Sequence, residues 1–367
     1  MAYDYPDPGS AGLNLSLNTL VRGFPDRLFL HANFGVHSYP SRALVARYRE
    51  VYAEYLGLPG PEWGLPCPGV LGGLEWVIRF WRHRWQGTHA VVQLGAYPPM
   101  VECLQREGAR IRVLGSFGNH SRTVEPGQNS EIPPEGGSEA FFVASPHNPL
   151  GVEIVDFPWF FRKNREVGQV TVVDGAYQEY GQALSSSDWA AVVNGEDSRC
   201  WRVVIRSLSK IGLAGARVGL IVGAPDFLRE LAQWLPPFGV GTPGLQLGIL
   251  LLGFPSGQRW LTDVIASVRR HRGILQEHLR QTGVPVVSAP AGNFVTVAVP
   301  AADQWSMEFR RRKIVVRDLS GRVEGYPSLL RITVPEHPED FQVLLDVVGD
   351  ILEVRGADLL RGPGSSC

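Results

Sequence analysis

With 367 residues the chain is long enough to bury a sizeable core in one large domain with a smaller companion, and too long for a simple binding module. Charged residues make up 19% and the formal net charge is -1, so no global field draws it to nucleic acid or an anionic membrane; its partner is expected to be a small molecule. Cys67, Cys103, Cys200 and Cys367 lie far apart without CxxC or Cys/His spacing, which argues against a metal or a disulfide framework and for a reducing, cytoplasmic compartment. No run of about 18 apolar residues and no basic-then-apolar leader is present, so neither membrane insertion nor export is expected.

Residues 1 to 30 read as an arm, with turn chemistry from Asp4 to Gly12 and a short helix from Leu13 to Arg22. Ala32-Asn33-Phe34-Gly35 is a turn, and Ser41 is placed to cap a helix bearing Leu44, Val45, Tyr48, Val51, Tyr52 and Tyr55 at helical spacing. Cys67-Pro68-Gly69-Val70-Leu71-Gly72-Gly73 leads into an apolar helix, Leu74 to Trp85. The amides of Val70 and Leu71 thereby fall at a helix N-terminus, which favours phosphate through its unpaired N–H groups and its dipole. Apolar runs at Val91 to Leu94, Ala109 to Leu114, Ala140 to Ala144, Val170 to Val173 and Trp201 to Ile205 are strands, interrupted by a polar loop from Gly115 to Gly137. Arg217 to Val222 is the next strand. Helices follow at Asp226 to Trp234, Gln246 to Leu252 and Leu261 to Leu279, the last long enough to join two domains, with His271 and the basic residues beside it on a solvated face. Short strands at Val286-Val287, Phe294 to Val299, Ile314 to Val316 and Leu329 to Val334 precede a helix from Pro338 to Leu352, and residues after Arg355 read as a loose tail. The run Arg310-Arg311-Arg312-Lys313 reads as surface charge, because nothing aromatic or glycine-rich accompanies it.

The chemistry gathers in Arg206-Ser207-Leu208-Ser209-Lys210-Ile211-Gly212-Leu213-Ala214-Gly215-Ala216-Arg217, which follows an apolar strand. Two hydroxyls and a guanidinium form an anion cup, and a lysine amine beside a bound phosphate can condense with an aldehyde on the same ligand. Upstream, Asp174-Gly175-Ala176-Tyr177 ends a strand with a carboxylate able to pair with a protonated ring nitrogen, and a tyrosine three residues on. Ser145-Pro146-His147-Asn148-Pro149 ends another, with His147 read as structural. Ligands of open α/β sheets collect at the carboxyl ends of strands, so these three turns belong together.

The lysine stretch resembles that of the fold-type I aminotransferases, and Arg-Ser-Leu-Ser-Lys followed by Leu-Ala-Gly-Ala-Arg most resembles the histidinol-phosphate aminotransferase branch. The resemblance covers about residues 30 to 352 and implies an α/β fold with pyridoxal 5'-phosphate as cofactor. It also implies a large domain with a mostly parallel central sheet (60–250), an N-terminal arm with part of a small α+β domain (1–59), the C-terminal remainder of that domain (251–355), and a tail (356–367). In its terms Lys210 forms the Schiff base and moves the proton, Asp174 supports the pyridinium, and Tyr177 and Asn148 address the ring oxygen. Tyr97 stacks on the ring, while Ser207, Ser209, Arg217 and the amides of Val70 and Leu71 hold the phosphate. Tyr39 matches a tyrosine that reaches the partner subunit's cofactor, which implies a homodimer. Arg331 and Arg317 match positions that grip the substrate carboxylate and phosphate, and Asn33 either lies over the site or serves its own turn.

The sequence also departs from the family. The loop from Lys210 to Arg217 is one residue short, which puts the reach of Arg217 in question; Gly175 replaces an acidic residue or serine; and Val70 and Leu71 offer only backbone. The leading expectation is amino transfer between an amino acid, or an amino-alcohol phosphate, and a 2-oxo acid. The alternative is a specialised enzyme on the same scaffold: a decarboxylase, a β- or γ-replacement or cyclising enzyme, or an amino acid oxidase. A silent, cofactor-binding regulator is the minor reading.

Overall fold

The computed structural model describes residues 12–25, 35–114, 139–154, 156–157, 160, 170–193, 201–323 and 325–361. The elements of the first half are β1 (Leu13–Asn14), α1 (Arg42–Leu56), β2 (Gly64–Cys67), α2 (Gly69–Arg84), β3 (His89–Gln93), α3 (Pro98–Arg106), β4 (Arg110–Leu114), β5 (Glu139–Ala144) and β6 (Val170–Asp174). They continue as α4 (Ser186–Val193), β7 (Trp201–Ser207), β8 (Gly219–Gly223), α5 (Pro225–Ala232), α6 (Thr242–Gly253) and α7 (Pro255–Gln281). The chain closes with β9 (Phe294–Ala298), α8 (Ala302–Arg311), β10 (Ile314–Val315), β11 (Arg317–Asp318), β12 (Leu329–Thr333) and α9 (Pro338–Arg361). Asn33 and the expected loop 115–137 lie outside the described residues.

Seven strands form the central sheet in the order β2-β8-β7-β6-β5-β3-β4. Strands β4, β3, β5, β6 and β7 pair in parallel, and β8 runs against both β7 and β2. The strands are apolar almost throughout because helices cover both faces. Val170, Val172, Val203 and Ile205 point to one face, where Leu74, Val77 and Trp81 of α2 and Phe227 of α5 bury them. Val173 and Val204 point to the other, packed with Tyr48 and Tyr52 of α1 and Leu245 and Leu251 of α6. Alternating strand residues thus feed two separate cores. After β4 at one edge the chain returns to place β5 on the opposite side of β3. That reversal opens a crevice at the carboxyl ends of β3 and β5.

Ser41 caps α1 as expected, its side chain accepting from the Leu44 amide at 3.1 Å. A second, three-stranded antiparallel sheet (β11-β12-β9) sets Arg317 opposite Arg331. The arm differs from expectation. Leu13 to Arg22 is not helical: β1 pairs in parallel with β10, and the Leu15 carbonyl accepts from Thr333 N at 2.9 Å. Val286 makes only an isolated bridge to Val297, and β8 begins at Gly219, leaving Arg217 in the turn before it. The final helix continues to Arg361, past the Arg355 at which a loose tail was expected.

The basic stretch of α7 also needs correction. His271 and Arg272 are buried; His271 Nδ1 lies 2.8 Å from the Pro335 carbonyl and its ring stacks on Phe341, while Arg272 donates to the carbonyls of Tyr180 and Gly292. Only Arg269 and Arg270 are exposed, as a helix turning 100° per residue requires. Cys67 and Cys103 are free thiols inside the core.

Candidate active site

A cavity of about 450 Å³ opens at the carboxyl ends of the central strands, within the range of small-ligand sites. It is lined by Val70, Leu71, Tyr97, Asn148, Asp174, Tyr177, Ser207, Ser209, Lys210, Arg217, Arg317 and Arg331, and also by Ser16, Leu17 and Thr19 of the arm. Tyr39, expected at the partner subunit's site, does not line this chain's own cavity. Tyr39 is 77% exposed and stacks on the exposed Phe238 at 4.5 Å.

One end of the cavity is an anion cup. Strand β7 delivers Ser207, whose hydroxyl donates to Ser209 Oγ at 2.8 Å and accepts from the Ser209 amide at 3.1 Å. Arg217 Nη1 donates to Ser209 Oγ at 3.2 Å, so the shortened loop still reaches. It does so because Arg217 takes a left-handed φ of 47° after the short turn Ala214–Ala216, swinging the guanidinium back towards the strand end. Its Nη2 donates to the Pro68 carbonyl at 3.3 Å, directly before α2. Gly69 permits that approach: with φ of 76°, a Cβ there would stand 3.0 Å from Arg217 Nη2. No side chain caps α2, so its first amides remain donors for a ligand at this end.

The opposite wall carries the acid. Asp174 ends β6 and accepts from the Ala176 amide at 2.9 Å. Burial pushes its carboxyl up to about 6, against the opposing pull of that amide and of the Lys210 charge. Lys210 Nζ donates to the Leu17 carbonyl of the arm at 3.2 Å and lies 5.5 Å from the centre of the Tyr177 ring. Its own carbonyl accepts from Tyr180 Oη at 2.8 Å, which holds the lysine turn against the turn after β6. Beneath both turns Arg206 and Glu179, each almost fully buried, pair at 2.5 Å. Gly175 does not line the cavity; a side chain there would meet Arg206 Cδ and the Ile205 carbonyl at 3.1 Å. His147 is buried behind the site, its pKa pushed down to about 4 by that burial, consistent with a structural role.

The third wall joins the two sheets. Arg331 of β12, 5% exposed, donates from Nη1 to Asn148 Oδ1 at 2.7 Å and from Nη2 to the Ser16 carbonyl at 2.6 Å. Arg317 lines the same cavity from the facing register position on β11. The sequence reading missed Ser16 and Asn18. Asn18 is wholly buried, and its side-chain amide donates to the Tyr177 hydroxyl at 3.0 Å. The signal for them was the alternation Leu13-Asn14-Leu15-Ser16-Leu17-Asn18, which has the period of an extended segment.

The sequence matches the family described as aminotransferase class I and II over residues 8–347, which is most of its length. The chain belongs to this family. A histidinol-phosphate aminotransferase of Cupriavidus pinatubonensis is 28% identical over 207 residues, covering 55% of this chain and 54% of that protein. The chain spans about half the length of such relatives in these matches. Among solved structures, the histidinol-phosphate aminotransferase of Sinorhizobium meliloti in complex with pyridoxal-5'-phosphate superposes with a TM-score of 0.78, covering 96% of each chain at 18% identity. The L-threonine-O-3-phosphate decarboxylase of Porphyromonas gingivalis superposes with a TM-score of 0.66 at 17% identity, covering 93% of this chain and 99% of that one. These likenesses make the fold that of the fold-type I enzymes. They also place two reactions on it, so the fold does not by itself choose between them.

Proposed function

We propose that this chain is a pyridoxal-phosphate-dependent aminotransferase, moving an amino group between an amino acid or amino-alcohol phosphate and a 2-oxo acid. The observation that carries the reading is the donor set around one cavity: an anion cup, a lysine amine, an aromatic face and a carboxylate of raised pKa. Such a set suits a flat, phosphorylated, nitrogen-containing aldehyde. When bound, pyridoxal phosphate supplies an aldehyde carbon that exchanges amines and a ring that accepts the electron pair released at the substrate α-carbon.

The protein's part is to bind, orient and move a proton. Ser207, Ser209, Arg217 and the amides of Val70 and Leu71 hold the phosphate, and Tyr97 supports the ring face. Asp174 would pair with the cofactor's protonated ring nitrogen, which would relieve the cost of burying its carboxylate. Tyr177 and Asn148 address the ring oxygen. Lys210 would hold the aldehyde carbon, and its amine is placed to carry the substrate's α-proton. Arg331 offers a planar fork for a carboxylate, and Arg317 beside it a second cation, a pairing that supports substrates with two anionic ends. We further propose a cytoplasmic homodimer, for which the exposed Tyr39–Phe238 stack offers a surface and Tyr39 a ligand for the neighbouring site.

The test is the absorption spectrum of the protein loaded with pyridoxal phosphate, mixed with a panel of amino acids and histidinol phosphate. Amino transfer predicts a visible band that one amino donor bleaches and a 2-oxo acid restores. Release of carbon dioxide or consumption of oxygen would favour the specialised alternative, and no band at all would sink the role of Lys210.

A further inference from the structure

Asn18 belongs to none of the motifs that mark the site, yet four hydrogen bonds tie it to three distant segments. Its amide N–H donates to Thr333 Oγ1 at 3.0 Å and its carbonyl accepts from Asn293 Nδ2 at 3.1 Å. Its side-chain Oδ1 accepts from the Thr333 hydroxyl at 2.9 Å, and Nδ2 donates to the Tyr177 hydroxyl at 3.0 Å. The backbone sits at φ 53°, a left-handed conformation that asparagine tolerates better than most residues.

The network fixes which end of the amide meets the tyrosine. Thr333 Oγ1 accepts the Asn18 N–H and gives its own proton to Oδ1; the reversed amide would leave that proton without an acceptor among the described residues. Nδ2 is therefore the end left for Tyr177. A phenol that receives a proton donor on its oxygen must turn its own proton elsewhere, and among the described residues no acceptor takes it. Tyr177 lines the cavity, so the proton is available there. The other groups facing this tyrosine are Lys210 over its ring, Arg331, which favours ionisation of the phenol, Asp174, which opposes it, and the edge-on ring of Phe294.

We propose that Asn18 is a positioning residue that makes Tyr177 a proton donor to the cofactor's ring oxygen, and so lowers the proton affinity of the nitrogen linking Lys210 to the cofactor. This rests on the function proposed above. A donor at the ring oxygen stabilises its anionic form, in which the linking nitrogen is deprotonated. Loss of the donor must then raise the pH at which the cofactor's visible absorption titrates.

The experiment is a spectrophotometric pH titration of the cofactor-loaded wild type and two variants. Asn18→Gly keeps the left-handed backbone and removes the amide; Asn18→Asp keeps the size but presents an acceptor that claims the phenol's proton. The expected order of titration midpoints is wild type, then Asn18→Gly, then Asn18→Asp, the last raised by about one pH unit, the scale of one hydrogen bond to a charged group. In a Tyr177→Phe background the Asn18→Asp shift should vanish. Persistence of that shift would mean the new charge acts alone and would overturn the proposal, as would an Asn18→Gly midpoint equal to wild type. A loaded wild type with no visible band would instead overturn the reading of the site, and this proposal with it.

Discussion

The two sides of the cavity are held together in different ways. On the central sheet, Asp174, Tyr177, Ser207, Ser209 and Lys210 emerge from the adjacent strands β6 and β7, and their turns are locked by the Tyr180–Lys210 contact and the buried Arg206–Glu179 pair. On the other side, Arg331 reaches Ser16 across 315 residues of chain, and Asn18 binds Thr333 across the same span. The first wall is built chiefly from neighbouring strands; the second exists only when distant segments meet. On the function proposed above, bond chemistry falls to the side built from neighbouring strands and the grip of Arg331 on substrate to the side assembled from separate segments, with Asn18 joining the two through Tyr177.

The sharpest way to break this comparison is Lys210→Ala. Amino transfer should fall by at least about 10³-fold, within the range that one positioned proton carrier supplies. Borohydride should also no longer fix the cofactor to the chain, as read by mass spectrometry. A loss confined to substrate affinity would erase the distinction between the walls. Next in size is Arg331→Gln, which should raise KM for carboxylate substrates by about 10- to 100-fold, the value of a charged hydrogen bond, while changing kcat far less. An equal fall in kcat would place Arg331 on the chemical side.

The smallest effect is thermodynamic and is measured on cofactor-free protein. Asp174 titrates near 6 in the fold, above the roughly 3.9 of an unfolded chain, so its ionised form is a cost to folding above pH 6. Asp174→Asn should therefore unfold at higher denaturant than wild type at pH 7. The gap should narrow by at most about 1.4 kcal/mol per pH unit as pH falls from 6 to 4 and the folded carboxyl takes up its proton. His147 gives an opposite slope, because the unfolded chain binds its proton between about 6.5 and the folded value near 4. Only the difference between variant and wild type isolates Asp174. Adding pyridoxal phosphate should reverse the order, making wild type the more stable.

The contrast between the walls also governs what could be read in advance. Asp174, Ser207, Ser209 and Lys210 follow apolar runs that announce strands, so spacing alone set them at strand ends. Arg217 was doubtful on loop length, because a count of residues does not reveal that a left-handed turn redirects the side chain. The arm's apolar residues suggest a helix by their number, but their strict alternation with Asn14, Ser16 and Asn18 has the period of an extended segment. His271 and Arg272 were set on a solvated face because four consecutive basic residues suggest one, whereas a helix turns two of them inward to the carbonyls of distant loops. In each case the deciding partner lies far away in the chain, where no local pattern records it.

The docking of the arm against β10 and β12 has a consequence for synthesis. Leu15, Leu20 and Phe24 are buried in the finished fold, yet their segment leaves the ribosome long before the strands it packs beside. Through most of translation these apolar groups have no native shelter, and such exposure favours aggregation of incomplete chains. The wall that carries Arg331 is thus completed late in the life of each molecule, and a nascent chain arrested before residue 333 would carry Lys210 with that side of the cavity unbuilt.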